Sequence, residues 1–450
     1  MKSVQSTSCL VFGCMLALPA SAQSLSEAIE YTIQTNPDIL TTTKDRMAVE
    51  QEVKQARSGY FPTLDVTAGY GYEEANNPST RARSAANPRQ SATVGMERTE
   101  LAVQLRQMVF DGFATSSEVR RQKNRVNSRA YTVFGTAEKV ALDAAEAYLD
   151  VLREEELVRL AKDNLEIHEK TLDQIKLRSK MGVGRKADES QADGRVALAK
   201  KNLMSEEGNL TDAASHFNRV IGAMPKDLKM PQLGDKAMPR SLDDAINMAI
   251  SNHPILKSAE SDIEAAQAQR ETAKSPFYPR VDIELSSANY SNLNGINGYN
   301  NDYQAMVRMR YNLFKGGKDY ARLKETKHLI EESEEIRNKT HRQVEESMRF
   351  SWNAMETVQR QMDFFKEHAE ATEKTHLAYR QQFSLGERTL LDLLDTANEL
   401  YTAKTAYTNA TYDHRFAEFR VLASMGGLNQ ALQVKLPEEA TRVDSGKPLF

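Results

Sequence analysis

The sequence has 450 residues, of which 40% are hydrophobic and 27% charged, with a formal net charge of −4 and a mean hydropathy of −0.59. That length allows two or three ordinary domains, but so polar a composition suits long solvated helices better than one large core. The near-neutral charge points to no nucleic-acid-binding role, so no nucleic-acid partner is expected.

The chain opens with Lys2 and a short apolar run, "CLVFGCMLALPA" from Cys9 to Ala20. Ala20-Ser21-Ala22 then offers a small-residue cleavage site before Gln23, so residues 1–22 read as a secretory signal peptide. The run is too short to span a bilayer. "VFGC" resembles a lipoprotein box, but the apolar run continues past it, and a lipid anchor is not expected. Both cysteines, Cys9 and Cys14, lie in this segment. A processed chain would hold no disulfide, no thiol nucleophile and no cysteine-bound metal. The expectation is an exported protein without a transmembrane helix.

Beyond the leader the sequence repeats itself. "SLSEAIEYTIQTNPDIL" from Ser24 is echoed by "SLDDAINMAISNHPILK" from Ser241, and Pro37 and Pro62 match Pro254 and Pro279 at an offset of 217. Further on, "VFDG" at Val109 matches "LFKG" at Leu313 at an offset of 204, which also joins Gly182 to Gly386, Asp188 to Asp392 and Gly222 to Gly426. The first copy therefore carries 13 extra residues between Pro62 and Val109, assigned to a long polar loop, "EEANNPSTRARSAANPRQ". The expected organisation is a first repeat at 23–224, a linker at 225–240, a second repeat at 241–427 and a polar C-terminal tail at 428–450.

Each copy reads as helix, strand, loop, strand, long helix, turn, helix. The strands, expected at about 62–73, 98–110, 279–290 and 302–314, alternate with period two. Leu64, Val66, Ala68, Tyr70 and Tyr72 share one face, opposite Thr63, Asp65 and Thr67; Leu101, Val103 and Leu105 oppose Gln104 and Arg106. In the second copy Val281, Ile283 and Leu285 oppose Asp282 and Glu284, and Ala305, Val307, Met309 and Tyr311 oppose Arg308 and Arg310. Acids on one strand and arginines on its partner predict cross-strand ion pairs. Strands of this length, apolar on one face and edged by tyrosines, fit a transmembrane β-barrel; an ordinary sheet packed on helices is the plainer alternative. Four strands cannot close a water-filled barrel, so an oligomer is required.

The helices carry a coiled-coil period. Met348, Ser351, Met355, Val358, Met362, Phe365, Ala369, Thr372, His376, Tyr379 and Phe383 form a narrow heptad stripe, and the other faces read as charged. Residues 113–180 would make one helix of about 100 Å, with 25–58 and 188–221 each about half as long. In "LGERTLLDLLDTANEL", Asp392 and Asp395 stand three apart and share one helix face. Taken alone, the pair is a solvated helix start, since a first-turn aspartate favours the helix dipole.

The duplicated helix–hairpin–helix plan, the "VFDG" and "LFKGG" strand exits and "LGERTLLDLLDTANELYTAK" together resemble the TolC-type outer-membrane channel family, over nearly all of the chain. The resemblance implies a mainly α protomer with a transmembrane β-barrel. Its homotrimer would form a 12-stranded β-barrel in outer-membrane lipid, continued by an α-helical barrel in the periplasm. It also implies a pore constriction at Asp392 and Asp395, a gate link between Arg388 and Asp188, and periplasmic turns at Gly182, Gly184 and Gly386. Phe383 stands where the best-known member has a tyrosine, and Ala187 replaces a polar partner, so the lock would rest on Arg388 and Asp188. "GVGRKADESQADGRVALAK" and "LDVLREEELVRLAKDNLEIHEKTL" look like members serving type I secretion. That implies an exit duct for large unfolded proteins, working with a membrane-fusion adaptor and an inner-membrane ABC transporter. The alternative is a multidrug efflux channel serving an RND-type pump; a periplasmic structural coiled coil is more remote and leaves the four amphipathic strands unexplained.

No enzyme, cofactor or metal site is expected. The eight histidines show no HExxH spacing, and "GVGRKA" follows a helix rather than a strand, against a nucleotide loop. Trp352, in register with the stripe, reads as packing.

Overall fold

The computed structural model describes residues 24–182, 185–233 and 238–441. The expected signal peptide, Gly184 and the end of the expected tail lie outside the described residues. In the first copy, α1 (Leu25–Thr35) and α2 (Pro37–Ser58) lead to strand β1 (Thr63–Ala75), the short helix α3 (Pro78–Ala86) and strand β2 (Val94–Phe110). The long helix α4 (Ala114–Lys180) then turns back as α5 (Lys186–Ile221). The second copy repeats this order: α6 (Leu242–Asn252), α7 (Pro254–Lys274), β3 (Arg280–Ser291), β4 (Tyr299–Arg310), α8 (Lys318–Leu385) and α9 (Leu390–Ser424). A four-residue helix, α10 (Leu428–Ala431), follows.

Three expectations are corrected. The helix expected over 25–58 is broken at Asn36, whose side chain accepts from Asp38 N at 2.9 Å while Pro37 starts α2, a position that needs no N–H. His253 and Pro254 make the same break in the second copy. The polar loop of the first copy contains α3, because Asn77 and Thr80 form a reciprocal capping box ahead of Pro78. The segment from 428 is not a free polar tail as far as it is described. Leu428, Leu432, Val434 and Ala440 are buried, and buried Glu138 accepts from Leu428 N at 2.9 Å and Asn429 N at 3.2 Å.

The residues fall into two compact units. One, over the described residues 33–142, 238–356 and 417–441, holds an antiparallel sheet in the order β1-β2-β3-β4. The β2–β3 pairing fuses the two copies into that sheet. Its polar face carries the expected ion pairs: Arg308 Nε to Glu284 at 2.8 Å, Arg310 Nη2 to Asp282 at 3.0 Å, and Arg106 Nε to Glu284 at 3.2 Å. Both carboxylates are covered by the half-exposed guanidinium groups. On the other face Val66, Tyr70, Tyr303 and Val307 are 64–78% exposed. An apolar band of that extent is stable only against a non-aqueous neighbour.

The other unit, over the described residues within 24–32, 143–233 and 357–416, gathers the turn-proximal parts of α4, α5, α8 and α9. Its core joins Leu172 and Ile175 of α4, Ala192 and Val196 of α5, Phe383 of α8, and Leu390, Leu393 and Leu394 of α9. Burying each of the larger side chains contributes about 1.5–3 kcal/mol. Along α8 the heptad stripe is buried at Met348, Ser351, Met355, Ala369, Thr372, His376 and Phe383 and half-buried at Val358, Met362, Phe365 and Tyr379, and Trp352 is half-buried.

Candidate functional site

The two helical turns hold the expected site residues. Gly182 and Gly386 adopt φ of +75° and +82°, where a side chain would be strained, and their amides bond Ser179 O at 3.0 Å and Phe383 O at 3.1 Å. Each turn thus reverses the chain within a few residues and starts a new helix beside the old one.

Asp392 sits in the first turn of α9. Its Oδ2 accepts from Thr389 Oγ1 at 2.8 Å and Thr389 N at 3.3 Å, while Thr389 Oγ1 accepts from Asp392 N at 3.2 Å. This reciprocal box satisfies two amides that a helix start leaves open. The Thr389 hydrogen bonds, with Arg388 nearby, hold the Asp392 carboxyl below the usual range, so it is charged at neutral pH. One turn on, Asp395 takes a charge-assisted bond from Arg195 Nη2 of α5 at 2.7 Å. The two aspartates therefore share a face but have different partners, one within its own helix and one across the duplication.

The expected Arg388–Asp188 link is not made within the chain. Arg388 lies over the Tyr379 ring at 4.2 Å, donates to Gln382 Oε1 at 3.0 Å and stands 4.0 Å from Asp392. Asp188 is half-buried in the first turn of α5. The observed cross-copy links are Arg195–Asp395 and Arg178, which donates to Phe383 O at 3.2 Å and stacks 4.6 Å from the Phe383 ring. Arg178 thus engages the Phe383 ring as a cation–π partner, a contact that needs no hydroxyl at that position.

Sequence reading missed a buried pair beside these links. His168 of α4 and His376 of α8 are each 3% exposed. His168 Nδ1 has no hydrogen-bond partner, and His376 Nδ1 lies 3.4 Å from Thr396 Oγ1, which donates to Asp392 O at 3.0 Å. Burial pushes the His168 imidazole down to about 4, with Arg195 and His376 adding to the effect. Burial likewise lowers His376, followed by Arg380 and Lys404, against Glu373. The histidines lie 208 residues apart, not 204, so the repeat offset gave no hint of the pairing.

Among the described residues no group of three or more His, Cys, Asp and Glu could hold a metal ion, and no helix is long and apolar enough to cross a membrane. What the turns offer chemically is fixed negative charge on a helix face, tied to the neighbouring hairpin by the Arg195–Asp395 ion pair. With the apolar sheet face, this describes a subunit of a membrane channel whose spanning part is a sheet.

Comparison with known proteins agrees. The sequence matches the family described as "Outer membrane efflux protein" over residues 28–223 and 245–427, and the chain belongs to that family. Relatives include the outer membrane efflux protein BepC of Brucella suis, 22% identical over 97% of this chain and 94% of its own. The outer membrane protein TolC of Escherichia coli is 22% identical over 91% and 84%. The alkaline protease secretion protein AprF of Pseudomonas aeruginosa is 21% identical over 94% and 89%. Among solved structures, the Campylobacter jejuni CmeC outer membrane channel has a TM-score of 0.76 at 14% identity, covering 94% of this chain and 90% of that one. The chain is an outer-membrane channel of the TolC family, serving secretion or efflux, and its family and fold are not those of enzymes. Channels of this family act as trimers with a periplasmic adaptor and an inner-membrane transporter.

Proposed function

We propose that this chain is the exit duct of a type I secretion system, passing large unfolded proteins delivered by an ABC transporter through a membrane-fusion adaptor. The observation that carries this reading is end-to-end similarity to proteins named for protease secretion. AprF aligns over 94% of the chain, and the proteases secretion protein PrtF of Dickeya chrysanthemi over 93%. A multidrug efflux duct is the second reading, favoured by similarity to the probable efflux pump outer membrane protein TtgC of Pseudomonas putida, 19% identical over 92% of the chain. In either case the chain performs no bond chemistry. It supplies a water-filled passage, and in a trimer Asp392 and Asp395 would place six carboxylates at its narrow periplasmic end, where they draw cations and resist close approach.

The test is the secreted and surface protein profile of a strain lacking the gene, against its parent. Selective loss of one or a few large exported proteins is expected. An unchanged profile with heightened drug and bile-salt sensitivity would move the assignment to efflux. For the gate, Arg388→Ala is expected to raise single-channel conductance, and unchanged conductance would remove Arg388 from it.

A further inference from the structure

The polar face of the sheet holds more guanidinium groups than its ion pairs consume. Residues paired across the strands share a face, and the three rows of this face nearest the helices bring Arg106, Arg280, Arg308 and Arg310 around Asp282 and Glu284. The other positions in these rows, Thr63, Met108 and Met306, are neutral. Four arginines thus stand against two carboxylates, and each chain keeps two positive charges on this band. Neutralising the two acids alone would need only half of these arginines.

The acids lie inside the cluster and the guanidinium groups outside it. The Asp282 side chain is fully buried, whereas the four arginine side chains are 42–55% exposed. Arg280 bonds Asp282 through Nε alone, at 3.0 Å, and Arg310 bonds it through Nη2. Arg106 Nε lies 3.2 Å from Glu284 Oε1 but out of line for a hydrogen bond. In all four arginines Nη1 donates to no partner among the described residues. A guanidinium with free donors is suited to a carboxylate or phosphate, which it can grip with two parallel bonds. The buried acids hold the four groups in place, so an incoming anion meets little ordering cost.

Space is available beside these donors. Arg106, Arg280 and Arg310 line a cleft of about 820 Å³ at the helix end of the sheet, together with Tyr278. Asp111 and Lys315, also in its wall, carry opposite charges, and Asp111 already accepts from Thr115 N at 2.8 Å and Thr115 Oγ1 at 2.6 Å. Farther along the same face of the sheet the sign reverses. There Asp65, Glu73, Glu100 and Asp302 outnumber Arg98, which pairs with Glu73 at 2.6 Å and also with Glu100. The positive charge is therefore gathered in one band rather than spread along the strands.

We propose that Arg106, Arg280, Arg308 and Arg310 form an oxyanion-binding collar on the wall of the passage, fitted to the carboxylates or phosphates of a molecule in transit. The proposal rests on the channel reading, which turns the apolar face to lipid and this face to water, and it holds for either cargo. In a trimer the collar carries six net positive charges. Its preference is opposite to that of the carboxylates of Asp392 and Asp395.

The test is binding of a fluorescent deca-glutamate peptide to the purified full-length channel at low salt, read by anisotropy. Binding is expected, and it should fall as added salt screens the collar. Arg106→Gln and Arg280→Gln each leave the neighbouring carboxylate one arginine, and each is expected to weaken binding about tenfold. Thr63→Glu sets a competing carboxylate across from Arg106 without removing a donor, and it should weaken binding even where the glutamine variants fail to assemble. Tripolyphosphate is the second probe: tighter binding than the peptide assigns the collar to phosphates, and weaker binding assigns it to side-chain carboxylates. Binding of neither probe overturns the collar, as does peptide affinity unchanged by Arg106→Gln and Thr63→Glu. Labelling with a charged maleimide separates this from the channel reading, because the native cysteines are confined to positions 9 and 14. Gln304→Cys, one row beyond the collar, labelled in a channel that binds no anion refutes the collar alone. Gln304→Cys protected while Val307→Cys on the opposite face is labelled refutes both.

Discussion

The two helical hairpins descend from one ancestor and turn on equivalent glycines, yet they start and fill differently. In the second hairpin α9 begins with the Thr389–Asp392 capping box; in the first, α5 begins at Arg185, which makes no side-chain cap. At equivalent buried positions on the long helices the first hairpin has His168 and Leu172, and the second has Thr372 and His376. Thr372 satisfies itself by donating to His368 O at 2.6 Å, whereas His168 leaves Nδ1 without a partner. Duplication thus produced one hairpin whose second helix starts from a side-chain cap and another whose second helix starts without one, and the buried imidazole left without an Nδ1 partner lies in the latter.

The largest way to break that comparison is acid. An imidazole whose pKa is depressed in the packed state stabilises packing above its free value of 6.5, and the contribution fades as pH falls through the window down to about 4. At 1.36 kcal/mol per pKa unit, His168 accounts for up to about 3 kcal/mol per chain. The groups around the pair are Arg195, Arg380 and Lys404, which oppose protonation, and Glu373, which favours it. Thermal unfolding of the purified channel is expected to shift downward between pH 7 and 4.5, and His168→Leu, matching the apolar character of Leu172, is expected to flatten that shift. Parallel curves for the two proteins would exclude His168 as the source.

The next two effects are smaller. Thr389→Ala removes the cap of α9 and is expected to cost about 1 kcal/mol, seen as faster amide exchange over its first turn. Equal exchange in α5 and α9 of the wild type would contradict the asymmetry at its root. Arg195→Ala removes a partly exposed pair with Asp395 that contributes about 0.2–1 kcal/mol, so open-state occupancy should rise by at most about fivefold per chain. Single-channel recording reads this directly, and conductance unchanged by Arg195→Ala but raised by Arg388→Ala would place the closing force between copies.

What the sequence made legible was whatever repeats at a fixed period. The α8 stripe, the alternating strands and the turn glycines each declare themselves by spacing, and the structure puts them where spacing did. Local signatures without a counterpart in the other copy were harder to see. "NPST" ahead of α3 is a recognisable cap, yet it lies in an insertion, where comparison of the copies gives nothing to align. The break at Asn36-Pro37 was hidden by the surrounding helical periodicity. Arg195–Asp395 and the histidine pair were out of reach, because each joins residues about 200 apart at positions that the repeat does not equate. The resemblance led to Arg388 and Asp188, but within one chain Arg388 lies over Tyr379 and donates to Gln382 instead.

The smallest prediction is the sharpest test of the hairpin comparison, because it adds rather than removes. Arg185 is the N-cap residue of α5, with an extended backbone (φ −93°, ψ 140°) already suited to capping, and what it lacks is a short acceptor side chain. Arg185→Ser supplies one without touching the glycine turn. It is expected to stabilise the first hairpin by about 0.5 kcal/mol, toward the low end of what caps contribute. Amide exchange at the start of α5 should slow about twofold and approach that of α9, while the start of α9 is unchanged. If the uncapped start is what lets the first hairpin yield, conductance of the resting channel should fall with it. Slower exchange with unchanged conductance would show that the start of α5 is loose but not part of the gate.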